Sequence, residues 1–340
     1  MSSNRTAMAD KPHIGETDII NQYFAPLAAD TPGAFNLTDD AGLIQPPEGM
    51  DLVLTTDVVV SGVHFLDDAA PEDLAYKALG VNVSDLCAKG VDPAVYLLSI
   101  ALPESCDTTW LEGVRQGLSE AQAAFGCTLL GGDTVKTPGP LTLSITAAGF
   151  TPEGQMVHRS GAREGDLVYV TGTIGDAALG LKLHQGTDQA PDELSENHAE
   201  FLRKRYRRPQ PRLAAINMVR AHANAAMDVS DGLVGDFAKL CTASDVGGTL
   251  VAETVPLSDA AAAWIEQEPE RLQTAITGGD DYEVLMSVSE NASTALEKYS
   301  ADAGLRITSI GRIVSSGTGI EVLDRDGKPL EFEQLSYAHF

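Results

Sequence analysis

No apolar run in this chain is long. Stretches such as Tyr96–Leu98 and Cys127–Leu130 break off within a few residues, far short of the ~20 needed to span a bilayer. Hydrophobic residues must therefore be buried through many short elements, and no segment reads as membrane-crossing. Length then sets the domain number. A chain of 340 residues, 43% of them hydrophobic, exceeds the roughly 100–200 residues of one domain, so two domains are expected. The N-terminal residues 1–15 read as a loose polar extension with no apolar stretch of the secretory kind.

The seam between the domains falls at Pro152-Glu153-Gly154, a turn signal that follows the alternating strand Leu141–Phe150. It separates residues 16–152 from 153–340. In the first part, Leu52–Val60 predicts a strand and Glu72–Lys89 a helix. On that helix Asn82, Asp85 and Lys89 share one face, while Leu79, Val83 and Leu86 lie opposite. In the second part, strands are expected at Leu167–Val170, Ala225–Val229, Ala275–Thr277 and Tyr282–Val288. Ser230 or Asp231 is placed to cap a following helix, and Gly317–Leu330 reads as a hairpin turning at Asp326-Gly327. Each part mixes helices with sheet, a mixed α/β (α+β) class. Asn82-Val83-Ser84-Asp85 echoes Asp228-Val229-Ser230-Asp231, and each precedes a Gly-Gly-Asp at nearly equal distance; chance recurrence of small acidic motifs accounts for this better than duplication.

Net charge is −26, which disfavours nucleic acid as a partner because that binding depends on Lys and Arg neutralising phosphates. Most of the carboxylates read as a solvated surface. The four cysteines form no C-x-x-C pair, so a reducing, cytoplasmic compartment with buried thiols is the simplest reading.

The informative acids sit beside glycines and strand ends. They form six compact sets: Asp39-Asp40, Thr55-Thr56-Asp57, Asp85, Gly131-Gly132-Asp133-Thr134, Asp228-Val229-Ser230-Asp231 and Gly278-Gly279-Asp280-Asp281. Any one of them is an ordinary turn or cap, but the recurrence points to hard oxygen ligands for magnesium or calcium. Zinc is disfavoured, since the seven histidines show no ligand spacing. The EF-hand spacing is absent, as are the G-x-x-x-x-G-K-[ST] loop and the protein-kinase H-R-D and D-F-G motifs. These absences favour magnesium with phosphates and exclude a P-loop or kinase lobe. Gly172–Asp176 with Gly180 is either a backbone cradle for phosphate or a plain turn. Arg159 offers a planar cation for phosphate oxygens or else forms a surface salt bridge.

Taken in order, Asp39-Asp40, Thr55-Thr56-Asp57 with Gly62-Val63-His64-Phe65, Val81–Leu86, Gly131–Thr134 and Arg159–Ala162 resemble the motifs of thiamine-monophosphate kinases. Gly165-Asp166 with Tyr169–Gly172, Arg208-Pro209, Asp228–Leu233, Gly278–Glu283 and Tyr337–Phe340 continue the resemblance over nearly the whole chain after residue 15. That family shares a superfamily with aminoimidazole ribonucleotide synthetase, selenophosphate synthetase and a hydrogenase maturation factor. The resemblance implies a two-domain aminoimidazole ribonucleotide synthetase-like fold. Its N-terminal domain would dimerise through its sheet with a second copy, and its C-terminal α/β domain would close the ATP site. It further implies that Asp40, Thr55, Thr56, Asp57, Asp85, Asp133, Asp228 and Asp231 hold magnesium ions, directly or through water. Asp57, Asp85 and Asp133 would be the catalytic set. Gly132, Asp133, Arg159 and Ser230 would touch ATP, and His64, Asp280 and Tyr337 would contact thiamine monophosphate. The chain departs from the pattern at Thr38, where a glycine is common, at Cys87 and Lys89, where small or apolar residues are usual, and at Asp280, where glutamate is typical.

The implied chemistry agrees with the residues. A phosphate acceptor is already anionic near neutral pH and needs no general base; the obstacle is repulsion between polyanions, which metal held by aspartates offsets. His64, inside the Gly62–Phe65 motif, fits a substrate contact or a satisfied strand-end residue better than a phospho-acceptor. Two alternatives remain at this level. A sister enzyme activating another acceptor would keep the metal and ATP motifs and change His64, Asp280 and Tyr337, and a non-catalytic acidic ion-binding protein would not bind ATP at all.

Overall fold

The structure is a computed structural model describing residues 15–186, 191 and 194–337. Residues 1–14 of the extension, and Ala338–Phe340 of the last motif, lie outside the described residues.

The first half opens with a short helix α1 (Glu16–Ile19) that runs into tight turns as far as Leu37. Four strands follow, β1 (Met50–Val60), β2 (Asp92–Leu102), β3 (Thr128–Lys136) and β4 (Thr142–Pro152), with helices α2 (Pro71–Ala88) and α3 (Thr108–Phe125) between them. The sheet order is β1-β4-β2-β3. β2 and β3 run parallel and the other pairs antiparallel, because α3 supplies the crossover that parallel neighbours require. Asp107 caps α3 by accepting from the Trp110 N–H at 2.9 Å, and Gly126 ends it in the left-handed region. Along β1, Val53 and Val59 turn inward while Leu52, Leu54, Thr56 and Val58 turn outward, the period-2 pattern of a half-buried strand.

The second half is a mixed sheet of β5 (Leu167–Thr171), β6 (Ala223–Asp228), β7 (Gly247–Val251), β8 (Val284–Val288), β9 (Ile307–Val314) and β10 (Ile320–Leu323), in the order β10-β7-β9-β5-β8-β6. Its helices are α4 (Asp176–Gln185), α5 (Glu196–Arg207), α6 (Ile216–His222), α7 (Leu233–Ser244), α8 (Asp259–Gln267), α9 (Arg271–Thr277) and α10 (Ser293–Ala303).

α2 joins the halves. Pro71 occupies its first turn with Glu72 and Asp73, which suit the positive end of the helix. Beyond that turn it is buried on both faces, Asn82 as fully as Leu79, Val83 and Leu86, so a helix expected to be amphipathic is instead an internal spine. One side packs on β1 and β4, the other on α5, α6, β6 and β8 of the second half. Polar residues on this spine must find partners. They do so across the junction.

Three expectations are corrected. Ala275–Thr277 belongs to helix α9, not a strand: a short apolar run ended by Gly-Gly is equally a buried helix end, and Ala275 packs in the core beside Leu179 and Trp264. Gly317–Leu330 is not a two-stranded hairpin. β10 pairs parallel with β7, and after a turn at Asp324–Lys328 the return arm keeps a single bridge, Leu323 with Pro329, since proline cannot extend a ladder. α7 is capped neither by Ser230 nor by Asp231. Asp236, inside the helix, accepts from the N–H groups of Asp231 and Gly232 at 2.9 and 3.2 Å.

Candidate active site at the junction of the halves

On β1, Thr55 and Asp57 share the face that meets α2. The Thr55 hydroxyl donates to Asp85 at 2.5 Å, and the Asp57 N–H donates to Asn82 Oδ1 at 3.0 Å. From the other half, Asp228 at the end of β6 accepts from the Ser84 hydroxyl at 2.7 Å. Burial, then Asp85 and Asp231, push Asp57 up to about 6. Burial and then Asp85 hold Asp228 well above the ordinary carboxylate range. Mutual repulsion of this kind requires that Asp57, Asp85, Asp228 and Asp231 converge. Two cations stand nearby. Lys239 pairs with Asp231 at 2.5 Å, and Lys89 donates to the Ala226 carbonyl at 2.5 Å, its ammonium lowered to about 8 chiefly by burial. Exposed Arg159 lowers Lys89 further. Among the described residues Arg159 makes no ion pair, so the surface salt bridge is absent there.

A second cluster adjoins the first. Asp280 accepts from Lys77 Nζ at 3.1 Å and from the Tyr282 hydroxyl at 3.0 Å. Burial, then Asp280, Asp228 and Asp57, raise the Tyr282 phenol well above its ordinary range. The His64 carbonyl accepts from Lys77 at 3.4 Å, and His64 Nδ1 accepts from the Val60 N–H at 3.1 Å. In neutral His64 the ring proton therefore sits on Nε2. Ser230 supports the loop: its carbonyl accepts from the Asp280 N–H at 2.8 Å. Tyr337 is docked as well, its N–H donating to the Asp231 carbonyl at 3.0 Å while its side chain stays half exposed.

The loop that presents Asp280 is strained. Asp280 and Tyr282 adopt φ of 73° and 53°, conformations non-glycine residues hold only when their surroundings impose them. Here the surroundings are two buried acids. Asp281 accepts from the Gly175 N–H at 2.7 Å and the Ala177 N–H at 3.4 Å. Glu283 is gripped by Arg205, Arg212 and the Thr171 hydroxyl. The Gly172–Asp176 turn is thus an anion cradle at a helix N-terminus, filled by the chain's own Asp281.

Other expected site residues lie apart. Asp57, Ile145, Leu98 and Gly132 form one row across the first sheet, so Gly132 is three strand spacings from Asp57, roughly 14 Å. Asp133 is in register with Ser99, Ser144 and outward-facing Val58. With Asp39, Asp40, Gly132 and Thr134 it lines a cavity of about 670 Å3 at the β3 edge. Thr56 points away from Asp57, its hydroxyl donating to the Ile145 carbonyl at 3.1 Å. A Cβ on Gly132 would meet the Leu98 carbonyl oxygen at 1.8 Å, which explains glycine there. Among the described residues no three acidic, histidine or cysteine side chains form a ready metal cage.

With this geometry in view, comparison with known proteins is decisive. The AIR synthase related protein family matches twice, its N-terminal domain over residues 38–151 and its C-terminal domain over 163–324. The thiamine-monophosphate kinase of Caulobacter vibrioides is 39% identical over 327 residues, covering 95% of this chain and 90% of that protein. The chain belongs to the thiamine-monophosphate kinase family. A relative of the same name from Escherichia coli K12 is also 39% identical, over 96% of this chain and 98% of its own length. The crystal structure of thiamine-monophosphate kinase from Stenotrophomonas maltophilia superposes with a TM-score of 0.77 at 37% identity, covering 86% of this chain and 91% of that one. A structure of AaThiL complexed with AMPPCP and TMP gives 0.75 at 32%, covering 98% and 100%. HypE, a hydrogenase maturation protein of E. coli, shares the fold alone at 18% identity and a TM-score of 0.73.

Sequence reasoning missed Lys77 and Tyr206, and gave no separate role to Asp281, Tyr282 and Glu283 although they lie within the Gly278–Glu283 motif. Lys77 left a trace, because it lies eight residues before Asp85 and so on the same helix face. Tyr206 left none, being brought in from α5 by tertiary packing.

Proposed function

We propose that the chain transfers the γ-phosphate of ATP to thiamine monophosphate, giving thiamine diphosphate and ADP. The observation that carries this reading is the meeting at the junction of Asp57 and Thr55-bound Asp85 from the first half with Ser84-bound Asp228 and Asp231 from the second, in a chain that matches kinases of that name over 95% or more of its length. A phosphate oxygen of the acceptor attacks the γ-phosphorus, forming one P–O bond as the bond to the departing ADP oxygen breaks. That oxygen is anionic near neutral pH, so no protein base is required.

The donor set fits magnesium in type: carboxylates and a hydroxyl, the hard oxygen ligands that such a cation takes. Magnesium keeps several waters and takes one or two carboxylates together with substrate phosphates, so four aspartates would share more than one ion. Asp57, Asp85, Asp228 and Asp231 would hold magnesium as several ions, directly or through water, with Thr55 orienting Asp85. When bound, it supplies positive charge that offsets repulsion between donor and acceptor phosphates.

In this reading Ser230 and Arg159 flank the ATP phosphates, and His64, Asp280 and Tyr337 face the acceptor. Asp40, Gly132, Asp133 and Thr56 serve from the first sheet's edge and outer face. The functional units are residues 16–152 and 153–340, and two copies pair through the outer face of the first sheet, where Leu54, Val58 and Leu97 are exposed. The cytoplasm suits cysteines that are all free, and no helix among the described residues is long and apolar enough to cross a membrane. A coupled assay with ATP, magnesium and thiamine monophosphate tests the proposal. Thiamine diphosphate should form in step with ADP, and ADP without it would refute the acceptor.

A further inference from the structure

Lys77 has a place in this molecule that the phosphotransfer reading does not require. It sits on α2, in the first half, with its side chain only 4% exposed. A buried ammonium must be paired and fully hydrogen-bonded to persist. Its partners are three groups on three separate elements. Nζ lies 3.1 Å from Asp280 on the strained loop of the second half, 3.4 Å from the carbonyl of His64 on the β1–α2 loop, and 3.9 Å from the centre of the Tyr206 ring on α5. The Tyr206 hydroxyl also reaches the His64 carbonyl, at 3.5 Å.

The consequence concerns charge. Asp280 is 26% exposed and reads, in isolation, as an anion waiting for a cationic substrate. Its charge is already matched by Lys77, and the face of Tyr206 that a cation would seek is already covered by the same ammonium. We infer that Lys77 is a positioning residue for the acceptor: it fixes Asp280, the His64 loop and Tyr206 in one arrangement across the junction and makes that wall of the pocket electrically neutral. Asp280 then serves as a hydrogen-bond acceptor of fixed direction rather than as a counter-ion. The inference rests on the kinase reading for the identity of the acceptor.

In the kinase reading the ATP phosphates lie by Ser230 and Arg159 and the acceptor by His64 and Asp280, so loss of positioning falls on one substrate only. Lys77→Met keeps length and removes charge. It should raise KM for thiamine monophosphate on the order of tenfold while KM for ATP stays within about twofold. Asp280→Asn removes the other partner and should act on the same constant. Because the two residues act as a unit, the Lys77→Met/Asp280→Asn double variant should be no worse than the more impaired single one. It also removes the uncompensated Asp280 charge, and so keeps the test open if Lys77→Met alone fails to fold. Equal rises in both KM values, a lowered melting temperature with unchanged KM values, or a double variant whose effect is the product of the singles would each overturn the inference. A wild-type protein that makes no thiamine diphosphate would instead remove the kinase reading; an active wild type with an unaffected Lys77→Met removes only the role of Lys77.

Discussion

Asp57 shows how one residue can oppose the fold it serves. Its carboxyl ionises near 3.8 when unhindered and near 6 in the folded chain, because burial and then Asp85 and Asp231 disfavour the charge. The folded state therefore binds the proton more tightly than the unfolded one. Below about pH 4 both states are neutral and the group contributes nothing; as pH rises from about 4 to 6 only the unfolded chain ionises freely, and stability falls by on the order of 3 kcal/mol. Without divalent cation, the melting temperature should decline across that window, and Asp57→Asn should flatten the decline and melt higher at pH 7. The same variant should lose at least about a hundredfold in kcat, so a stabilised but inactive protein is the expected signature. Near-wild-type turnover would count against the acidic cluster as the metal site. Magnesium should work in the opposite sense to protons. At about a hundredfold excess over its Kd it should add roughly 2–3 kcal/mol at pH 7, and calorimetry that detects neither binding nor stabilisation would exclude the assigned ligands.

At the scale of elements, the loop Gly278–Glu283 is held by anchors rather than by its own preference. Asp281 supplies the N-terminal anchor of α4 by accepting from Gly175 and Ala177. Asp281→Ala would leave those N–H groups buried and unpaired, so a loss of about 2–4 kcal/mol is expected by chemical denaturation. KM for thiamine monophosphate should rise with it, since Asp280 stands on the released backbone. A variant that melts early but binds the acceptor normally would mean that the strain plays no part in the site. This element also marks where sequence legibility ended. β1, α2, β4 and β5 were readable because alternation, a proline start and terminal glycines act within a few residues. Asp57, Asp85, Asp228 and Asp231 were singled out through motif order, and the structure brings them to the junction of the halves. The cradle at Gly172–Asp176 was seen as a turn able to hold an anion, but nothing local says that the anion is Asp281, over a hundred residues away. The helix at Arg271–Thr277 was missed for a related reason: its apolar end has neither length nor period enough to separate helix from strand, and packing against α4 and α8 decides it. Asp133 shares its motif with the expected site, and strand order, which no short pattern encodes, puts it on the far edge of the sheet.

The whole molecule raises a question of assembly. The first sheet buries one face against α2 and α3 and leaves the other with Leu52, Leu54, Val58, Leu97 and Val135 exposed, Leu54 at 62%. In a chain with net charge −26, such a patch is conspicuous, because the rest of the surface is strongly solvated. Pairing two copies through it covers the apolar residues while bringing like charge together. Association should therefore be held by apolar contact and weakened by long-range repulsion, which salt screens beyond about 10 Å at 0.1 M. Sedimentation at micromolar concentration should show a dimer at physiological salt and partial dissociation on dilution into about 10 mM salt. Leu54→Glu, a change at an exposed position that leaves the core untouched, should give a monomer at both salt concentrations. A dimer insensitive to Leu54→Glu would place the contact elsewhere, and a wild-type monomer at all salt concentrations would remove the homodimer from the proposal.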